Sequence, residues 1–191
     1  MAGTGDSITG YLTADHEHLA ELLARAEGRP LDLEAYGEFR RRLLRHIAME
    51  EKILLPAAAR ARGEPLPVAA RLRADHGALA ALLVPSPTHA IVNAIRTILA
   101  GHNLLEESHD GVYASVERLA GSEASALLAQ LRAAPAVPVS PYNDGPRTIP
   151  AAQRALTRAG YDPALIDPPA ATEPAAAAPP PRADSRSRRA D

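Results

Sequence analysis

The chain of 191 residues contains no cysteine, carries a formal net charge of −2 and has only 3% aromatic residues. The lack of cysteine excludes disulfide bonds, thiolate catalysis and cysteine-ligated metal sites, and the small net charge does not favour binding to nucleic acid or to an acidic membrane. No signal peptide is visible, and no apolar stretch reaches the roughly 20 residues that a bilayer span requires, so a cytoplasmic protein is expected.

Four helical segments are predicted along the first 120 residues, and turns that contain glycine or proline separate them. They run over about 7–27, 32–62, 68–84 and 88–119, and a shorter helix at 123–132 follows. Because the connections are short, successive helices should be antiparallel neighbours. The predicted fold is therefore all-α, an up-down-up-down four-helix bundle.

The composition changes after the predicted bundle, which we place at residues 1–133. Residues 134–166 contain turns and a short predicted helix at 150–160, so we expect a partly ordered, Pro/Ala-rich extension that packs on the bundle. Residues 167–191 are of low complexity and cannot bury enough apolar surface to offset chain entropy. This last segment is predicted to be a disordered tail.

Two short motifs occur twice in the predicted bundle. The stretch "ADHEHLAELLA" at 14–24 matches "ADHGALAALLV" at 74–84, which pairs His16 with His76. The stretch "HIAMEE" at 46–51 matches "HNLLEE" at 102–107. The bundle therefore looks like two copies of one helical hairpin, with a histidine on the first helix and His-x-x-x-Glu on the second.

Helix geometry directs six of the repeated side chains towards one interior. Residues i and i+4 lie about 40° apart around a helix, so each histidine of the second motif points with the glutamate four residues later. The expected set is His16, His46, Glu50, His76, His102 and Glu106. Four imidazoles and two carboxylates suit iron, manganese or zinc, and a pair of metal ions would offset the cost of burying the carboxylates.

Acidic residues adjoin these candidate ligands. Glu51 and Glu107, one position further along, are swung about 140° from the ligand histidines and should lean outward. For Asp15 and Asp75 two alternatives stay open. They either hold the free imidazole nitrogens of the ligands or act as caps on the surface.

A further histidine, His109, follows His102 by seven residues and returns to within about 20° of the same helix face. We expect it inside the bundle, near the metals, and take it as the candidate catalytic residue. Its role stays open between a fifth histidine ligand, a proton donor or hydrogen-bonding group beside the metals, and a bystander near Gly111.

The order His, His-x-x-x-Glu, His, His-x-x-x-Glu resembles the hemerythrin-like, or HHE cation-binding, domain. The segments "DHEHLAELL", "HIAMEEKILLP", "DHGALAALL" and "HNLLEE" are similar to recurrent segments of that family, over about residues 8–120. The resemblance implies a four-helix bundle around a non-haem diiron centre. It also implies that the four histidines are terminal ligands and that Glu50 and Glu106 bridge the two irons.

The family includes oxygen carriers, sensors of oxygen, nitric oxide or iron, and proteins that act on peroxide or dioxygen. Oxygen carriers have a second histidine one turn after the third-helix ligand, where this chain has Ala80. The symmetric four-histidine set leaves an open position on both irons, which favours a diiron oxidoreductase that binds and activates dioxygen or peroxide. The alternatives are a sensing or binding module without turnover and a redox-inert zinc bundle.

Overall fold

The computed structural model describes residues 6–167, and all regular secondary structure in this range is helical, without β-strands. The α-helices of this part of the chain are α1 (Ile8–Ala26), α2 (Leu33–Met49), α3 (Leu55–Arg62), α4 (Ala69–Leu82), α5 (His89–Glu107), α6 (Val112–Ala120), α7 (Ala124–Arg132) and α8 (Thr148–Arg158). The predicted all-α class is confirmed. The predicted tail lies outside the described residues, apart from Asp167. None of the helices that the structure describes combines the length and apolar character needed to cross a membrane.

Side-chain caps start three of these helices. Ser7 accepts a hydrogen bond from the Gly10 amide, and Thr88 accepts one from the amide of Ile91. Asp32 accepts from two amides in the first turn of α2. Each cap satisfies amide groups that have no partner inside the helix, so the helix starts agree with the sequence prediction.

Two of the four predicted segments are not continuous α-helices. A π-helical turn, Glu50–Leu54, joins α2 to α3. The fourth segment is interrupted after Glu107, where Ser108 has an extended backbone with ψ of 157°, and it resumes as α6. Gly111 permits this interruption because a Cβ atom there would lie 2.5 Å from the carbonyl oxygen of Glu106. The first irregularity contains the glutamate pair Glu50 and Glu51, and the second directly follows the pair Glu106 and Glu107.

Buried apolar side chains form two clusters. One includes Leu19 of α1, Leu43 of α2 and Leu79 of α4, and the other includes Leu12 of α1 and Leu72 of α4. The candidate ligands lie on α1, on α4, on α5 and at the end of α2. In each case the chain contributes residues to one cluster on one side of the ligands and to the other cluster on the other side. The candidate site is therefore enclosed between two apolar layers, where charged groups are poorly solvated.

The chain after α7 returns to the first apolar cluster. Helix α8 packs on α4, and the 3-10 turn at Pro163–Ile166 packs on α5. Leu156 and Ile166 are buried with core residues of α1 and α2. The domain boundaries at 133 and 166 stay a prediction, but these contacts imply that the described part of the extension stabilises the helices that carry the site.

Removing a core side chain from α8 should therefore destabilise the protein. We expect Leu156→Ala to lower the free energy of unfolding by about 2–5 kcal/mol, because it leaves a cavity in the first apolar cluster. Urea denaturation followed by circular dichroism measures this change. The exposed Arg154→Ala on the same helix serves as the control and should stay within about 0.5 kcal/mol of wild type. Equal stabilities of the two variants would contradict the assigned role of α8.

Candidate metal centre

The six predicted ligand side chains converge in one buried cluster, and each is at most 4% exposed. Their ligating atoms form two groups, and within each group all atoms lie within 4.8 Å of one another. The first group consists of His16, His46, Glu50 and Glu106, and the second of His76, His102 and the same two glutamates. The glutamates thus belong to both groups and lie between two pairs of histidines.

The distances show how the two groups are joined. The Nε2 atoms of His16 and His46 are 2.8 Å apart, and those of His76 and His102 are 3.2 Å apart. One oxygen of Glu50 lies 3.2 Å from His46 Nε2, and its other oxygen lies 3.1 Å from His76 Nε2. Glu50 therefore presents one oxygen to each histidine pair.

Glu106, like Glu50, lies between the two histidine pairs. Its Oε2 is 3.2 Å from Nε2 of His102 and 3.6 Å from Nε2 of His16. This oxygen thus approaches one histidine of each pair. Both carboxylates therefore lie between two neighbouring positions that a cation can occupy.

The outward-facing nitrogen of each histidine meets a carboxylate from elsewhere in the fold. His46 Nδ1 is 2.8 Å from Asp15, His76 Nδ1 is 2.7 Å from Glu51, His102 Nδ1 is 3.5 Å from Asp75, and His16 Nδ1 contacts Glu107. We call Asp15, Glu51, Asp75 and Glu107 the outer carboxylates. At His16, His46 and His76 the hydrogen-bonded carboxylate holds the proton at Nδ1 and leaves the Nε2 lone pair for the interior, whereas His102 Nδ1 has only an ion-pair contact with Asp75.

The prediction that Glu51 and Glu107 lean outward is wrong. Their side chains are 26% and 32% exposed and Glu107 stays among the exposed residues, but each carboxylate reaches back to a histidine on another helix. The π turn that begins at Glu50 and the end of α5 at Glu107 replace the regular 100° step on which the prediction depended. Asp15 and Asp75 are also buried, so the surface-cap alternative does not apply to them.

Arginines support three of the outer carboxylates. Arg42 donates to Asp15 at 2.7 Å, Arg71 to Asp75 at 3.1 Å, and Arg73 Nε to Glu51 at 3.2 Å. Arg71 also donates to the carbonyl of Ala159 and to the hydroxyl of Tyr161, which lie after α8. The extension therefore contacts the charged groups that orient the second histidine pair.

The donor set fits a bound cation. With the protons held at Nδ1, the paired Nε2 atoms direct lone pairs at each other at 2.8 and 3.2 Å, an arrangement that is repulsive between neutral imidazoles. A cation, or a proton, between the paired Nε2 atoms removes this repulsion. Buried carboxylates likewise require a positive partner, and mixed imidazole and carboxylate ligands suit transition metals.

Without a metal, protons supply the positive charge. Burial acts to lower the pKa of His46, but the charge of Glu50 and the hydrogen bond to Asp15 outweigh it and raise that pKa to about 10. For His102, burial is outweighed by Asp75 and Glu106, and its pKa is also raised to about 10. Burial and the charge of Glu50 raise the pKa of Glu106, whereas His46 and His76 hold the pKa of Glu50 well below its usual value against the effect of burial.

These shifts predict the pH dependence of the metal-free protein. A histidine whose pKa rises from 6.5 to about 10 on folding contributes full stability below pH 6.5 and loses it as the pH rises to about 10. We therefore expect the free energy of unfolding to fall between pH 6.5 and 10, as urea denaturation measures. The metal-loaded protein, whose histidines are neutral and keep only the proton at Nδ1, should show a flatter profile. A stability that rises across this range in the metal-free protein would contradict the assignment.

Tyr113 joins the cluster, although the sequence did not identify it. Its buried hydroxyl donates to Glu50 Oε1 at 2.6 Å and lies 3.0 Å from Glu106 Oε2. It is also 3.1 Å from His16 Nε2 and 3.4 Å from His46 Nε2. Burial and the charges of the two glutamates raise the pKa of Tyr113 well above its usual value. The available signal was its position seven residues after Glu106, but the helix break between them obscured the phase.

His109 does not lie inside the bundle, so the expectation for its position is wrong. Its side chain is exposed. Helix α5 ends at Glu107, and the extended backbone of Ser108 ends the helical phase that would have returned His109 to the face of His102. This placement gives no support to a catalytic role for His109. Tyr113 contributes the additional polar group in the cluster instead.

Comparison with known proteins identifies the family. A family model of the Hemerythrin HHE cation binding domain matches residues 7–110. No curated protein and no solved structure was found that matches the chain. The matched residues contain all six candidate ligands and exclude Tyr113 and α8. Since the match spans more than half of the chain and the ligands converge as the motifs predicted, the chain belongs to the hemerythrin HHE cation-binding domain family.

Proposed function

We propose that the protein is a non-haem diiron protein that binds and activates dioxygen or peroxide. In this proposal, His16 and His46 hold one iron, and His76 and His102 hold the other. The observation that carries it is the pair of overlapping four-ligand groups, which share Glu50 and Glu106. Manganese or zinc would fit the same ligand types.

The proposed framework is the up-down-up-down bundle of the family. Its four members would be α1, α2 with α3, α4, and α5 with α6. The repeat supports this assignment, as does the packing of α1 on α2 and of α4 on α5. Helices α7 and α8 would be additions to the bundle.

The charge of the cluster supports the binding of cations. The two shared glutamates and the four outer carboxylates bring six negative charges when ionised. Arg42, Arg71 and Arg73 offset three of these. The remainder requires bound cations, and the two overlapping ligand groups, rather than the charge, support two of them.

Iron, when bound, would supply redox chemistry and Lewis acidity. The chain would fix the geometry of the ligands and exclude water from the site. The outer carboxylates hold the imidazoles in one tautomer, and the two apolar clusters exclude bulk water. Tyr113 donates a hydrogen bond to Glu50 and keeps that carboxylate oriented.

The symmetric ligand set favours chemistry over carriage of oxygen. Ala80, one turn after His76, has no ligating atom, so no fifth histidine enters from this position. Each ion would then have fewer protein ligands than in an asymmetric five-histidine site. Dioxygen or peroxide would be the small-molecule partner, and a cytoplasmic location remains part of the proposal.

The test follows the reaction of the reduced protein. Iron-loaded, reduced protein is exposed to dioxygen and then to peroxide while its optical spectrum and the peroxide concentration are recorded. We expect an oxidation of the iron that vacuum does not reverse and, when an added electron donor re-reduces the iron, consumption of peroxide over many turnovers. A stable oxygen-bound spectrum that reverses under vacuum, without peroxide turnover, would support the binding-module alternative. Protein with His46→Ala and His102→Ala is the control and should show neither reaction.

A further inference from the structure

The arginine that supports the outer aspartate comes from a different place in each half of the repeat. In the first half, Asp15 accepts its hydrogen bond from Arg42, which precedes His46 by four residues on α2. The residue four positions before His102 is Ile98, a buried side chain without a hydrogen-bond donor. The repeat therefore provides no arginine for the outer aspartate of the second half.

Arg71 provides that hydrogen bond from another helix. It lies on α4, four residues before Asp75, and its Nε donates to Asp75 Oδ2 at 3.1 Å. The residue four positions before Asp15 is Tyr11, so the first half has no counterpart of Arg71. Asp75 is fully buried, and the guanidinium offsets the cost of keeping a carboxylate away from water.

The extension fixes the orientation of Arg71. The Nη1 of Arg71 donates to the carbonyl of Ala159 at 2.9 Å, and Nη2 donates to the hydroxyl of Tyr161 at 2.9 Å. Ala159 is the cap at the end of α8, where free carbonyl groups and the helix dipole attract a cation. Gly160 turns the chain there with a φ of 81°. Because a guanidinium is planar and rigid, these two bonds determine where its Nε points.

Asp75 passes this orientation on to a ligand histidine. The oxygen that accepts from Arg71 also lies 3.5 Å from Nδ1 of His102, and the other oxygen has no hydrogen-bond partner among the described residues. Asp15, in contrast, uses one oxygen for its arginine and the other for its histidine. A movement of Arg71 therefore shifts the same oxygen that contacts His102.

We propose that Arg71 is a positioning residue for the ligand His102, and that the extension, through Ala159 and Tyr161, controls how firmly the second histidine pair holds its metal ion. When the extension loosens, Arg71 loses its orientation, the outer aspartate follows, and the ion leaves sooner. The inference rests on the proposed function, because it presupposes a metal ion at this histidine pair. The family model matches residues 7–110, so the controlling segment lies outside the matched part of the chain.

Release of ferrous iron to a chromogenic chelator tests the proposal in the full-length protein. We expect Arg71→Met to accelerate the release of one of the two ions by about 10-fold, since loss of an outer group weakens metal binding by about 10- to 100-fold. The other ion should leave at the wild-type rate. Tyr161→Phe removes only a hydroxyl and should act on the same ion, in the same direction, with a smaller effect. Unchanged release, or equal acceleration of both ions, would overturn the inference.

Arg71→Lys separates position from charge. It keeps the positive charge, but an ammonium group cannot replace the planar fork that bonds to three acceptors, so release should be as fast as in Arg71→Met. A wild-type rate in this variant would show that charge alone acts and would overturn the positioning role.

Two matched controls remove the same groups elsewhere. Arg158 is exposed at the end of α8, and Tyr142 of the extension contacts Arg40 rather than Arg71. We expect Arg158→Met and Tyr142→Phe to release both ions at the wild-type rate. Faster release of one ion in either control would show that the effect is not specific to Arg71 and Tyr161, which would also overturn the inference.

NMR of zinc-loaded protein labelled with ¹⁵N-histidine locates the effect. We expect Arg71→Met to shift the Nδ1 signal of His102 more than those of His16 and His46, and equal shifts at the three histidines would contradict the inference. If Arg71→Met does not fold, Tyr161→Phe decides in both experiments. A chain that binds no metal would overturn the proposed function itself, whereas two bound ions that these variants leave unchanged would overturn the inference alone.

Discussion

Replacing Glu50 with alanine is expected to remove both metal ions rather than one. Its two oxygens lie 3.2 Å from His46 and 3.1 Å from His76, so the carboxylate serves both histidine pairs. Its loss also leaves the Tyr113 hydroxyl without its shortest hydrogen bond. We expect metal affinity to fall by more than about 100-fold, beyond the effect typical of a supporting residue. Elemental analysis and competition with a chelator measure the loss.

The exposed Glu38→Ala on α2, the helix that leads into Glu50, provides the matched control for this prediction. It removes the same charge from α2 without altering the cluster, and the protein should retain its metal. If Glu50→Ala kept one ion at wild-type affinity, Glu50 would serve only one group. The shared-carboxylate arrangement would then be incorrect.

Removing the outer aspartates should weaken the two ions separately. Asp15 faces His46 of the first pair, and Asp75 faces His102 of the second. We therefore expect Asp15→Ala or Asp75→Ala to weaken one ion by about 10- to 100-fold, because the imidazole loses the group that fixes its tautomer. Chelator removal should become biphasic in each single variant and should be fast for both ions in the double variant.

Asp144→Ala is the control for the aspartate variants, since Asp144 is exposed and bonds to Ser86. Its metal release should match that of wild type. Uniform weakening of both ions by Asp15→Ala alone would indicate that the outer carboxylates act through the total charge. The assignment of one aspartate to each histidine pair would then fail.

Five of the six candidate ligands were predictable because they lie within regular α-helices, and Glu50 was predictable because the π turn only begins at this residue. His46 and Glu50 are separated by one helical turn, and so are His102 and Glu106, so their convergence follows from 100° per residue. The repeat supplied the rest, because it distinguished His16 and His76 from the other histidines. No knowledge of tertiary structure was needed for these positions.

The groups around the ligands were not predictable, because they depend on where the helices become irregular. Glu51 lies in the π turn and Glu107 at the end of α5, so regular phase misplaced both. The same loss of phase after Ser108 moved His109 to the surface. Tyr113 reaches the cluster from α6, which begins after this break, so a regular helical phase could not place it.

In the proposed function this chain holds two metal ions, one at each histidine pair. Anomalous diffraction from iron-loaded crystals, measured at the iron absorption edge, locates them. We expect two peaks, one beside Nε2 of His16 and His46 and one beside Nε2 of His76 and His102, with Glu50 and Glu106 between them. A single peak, or iron bound only away from these four histidines, would contradict it.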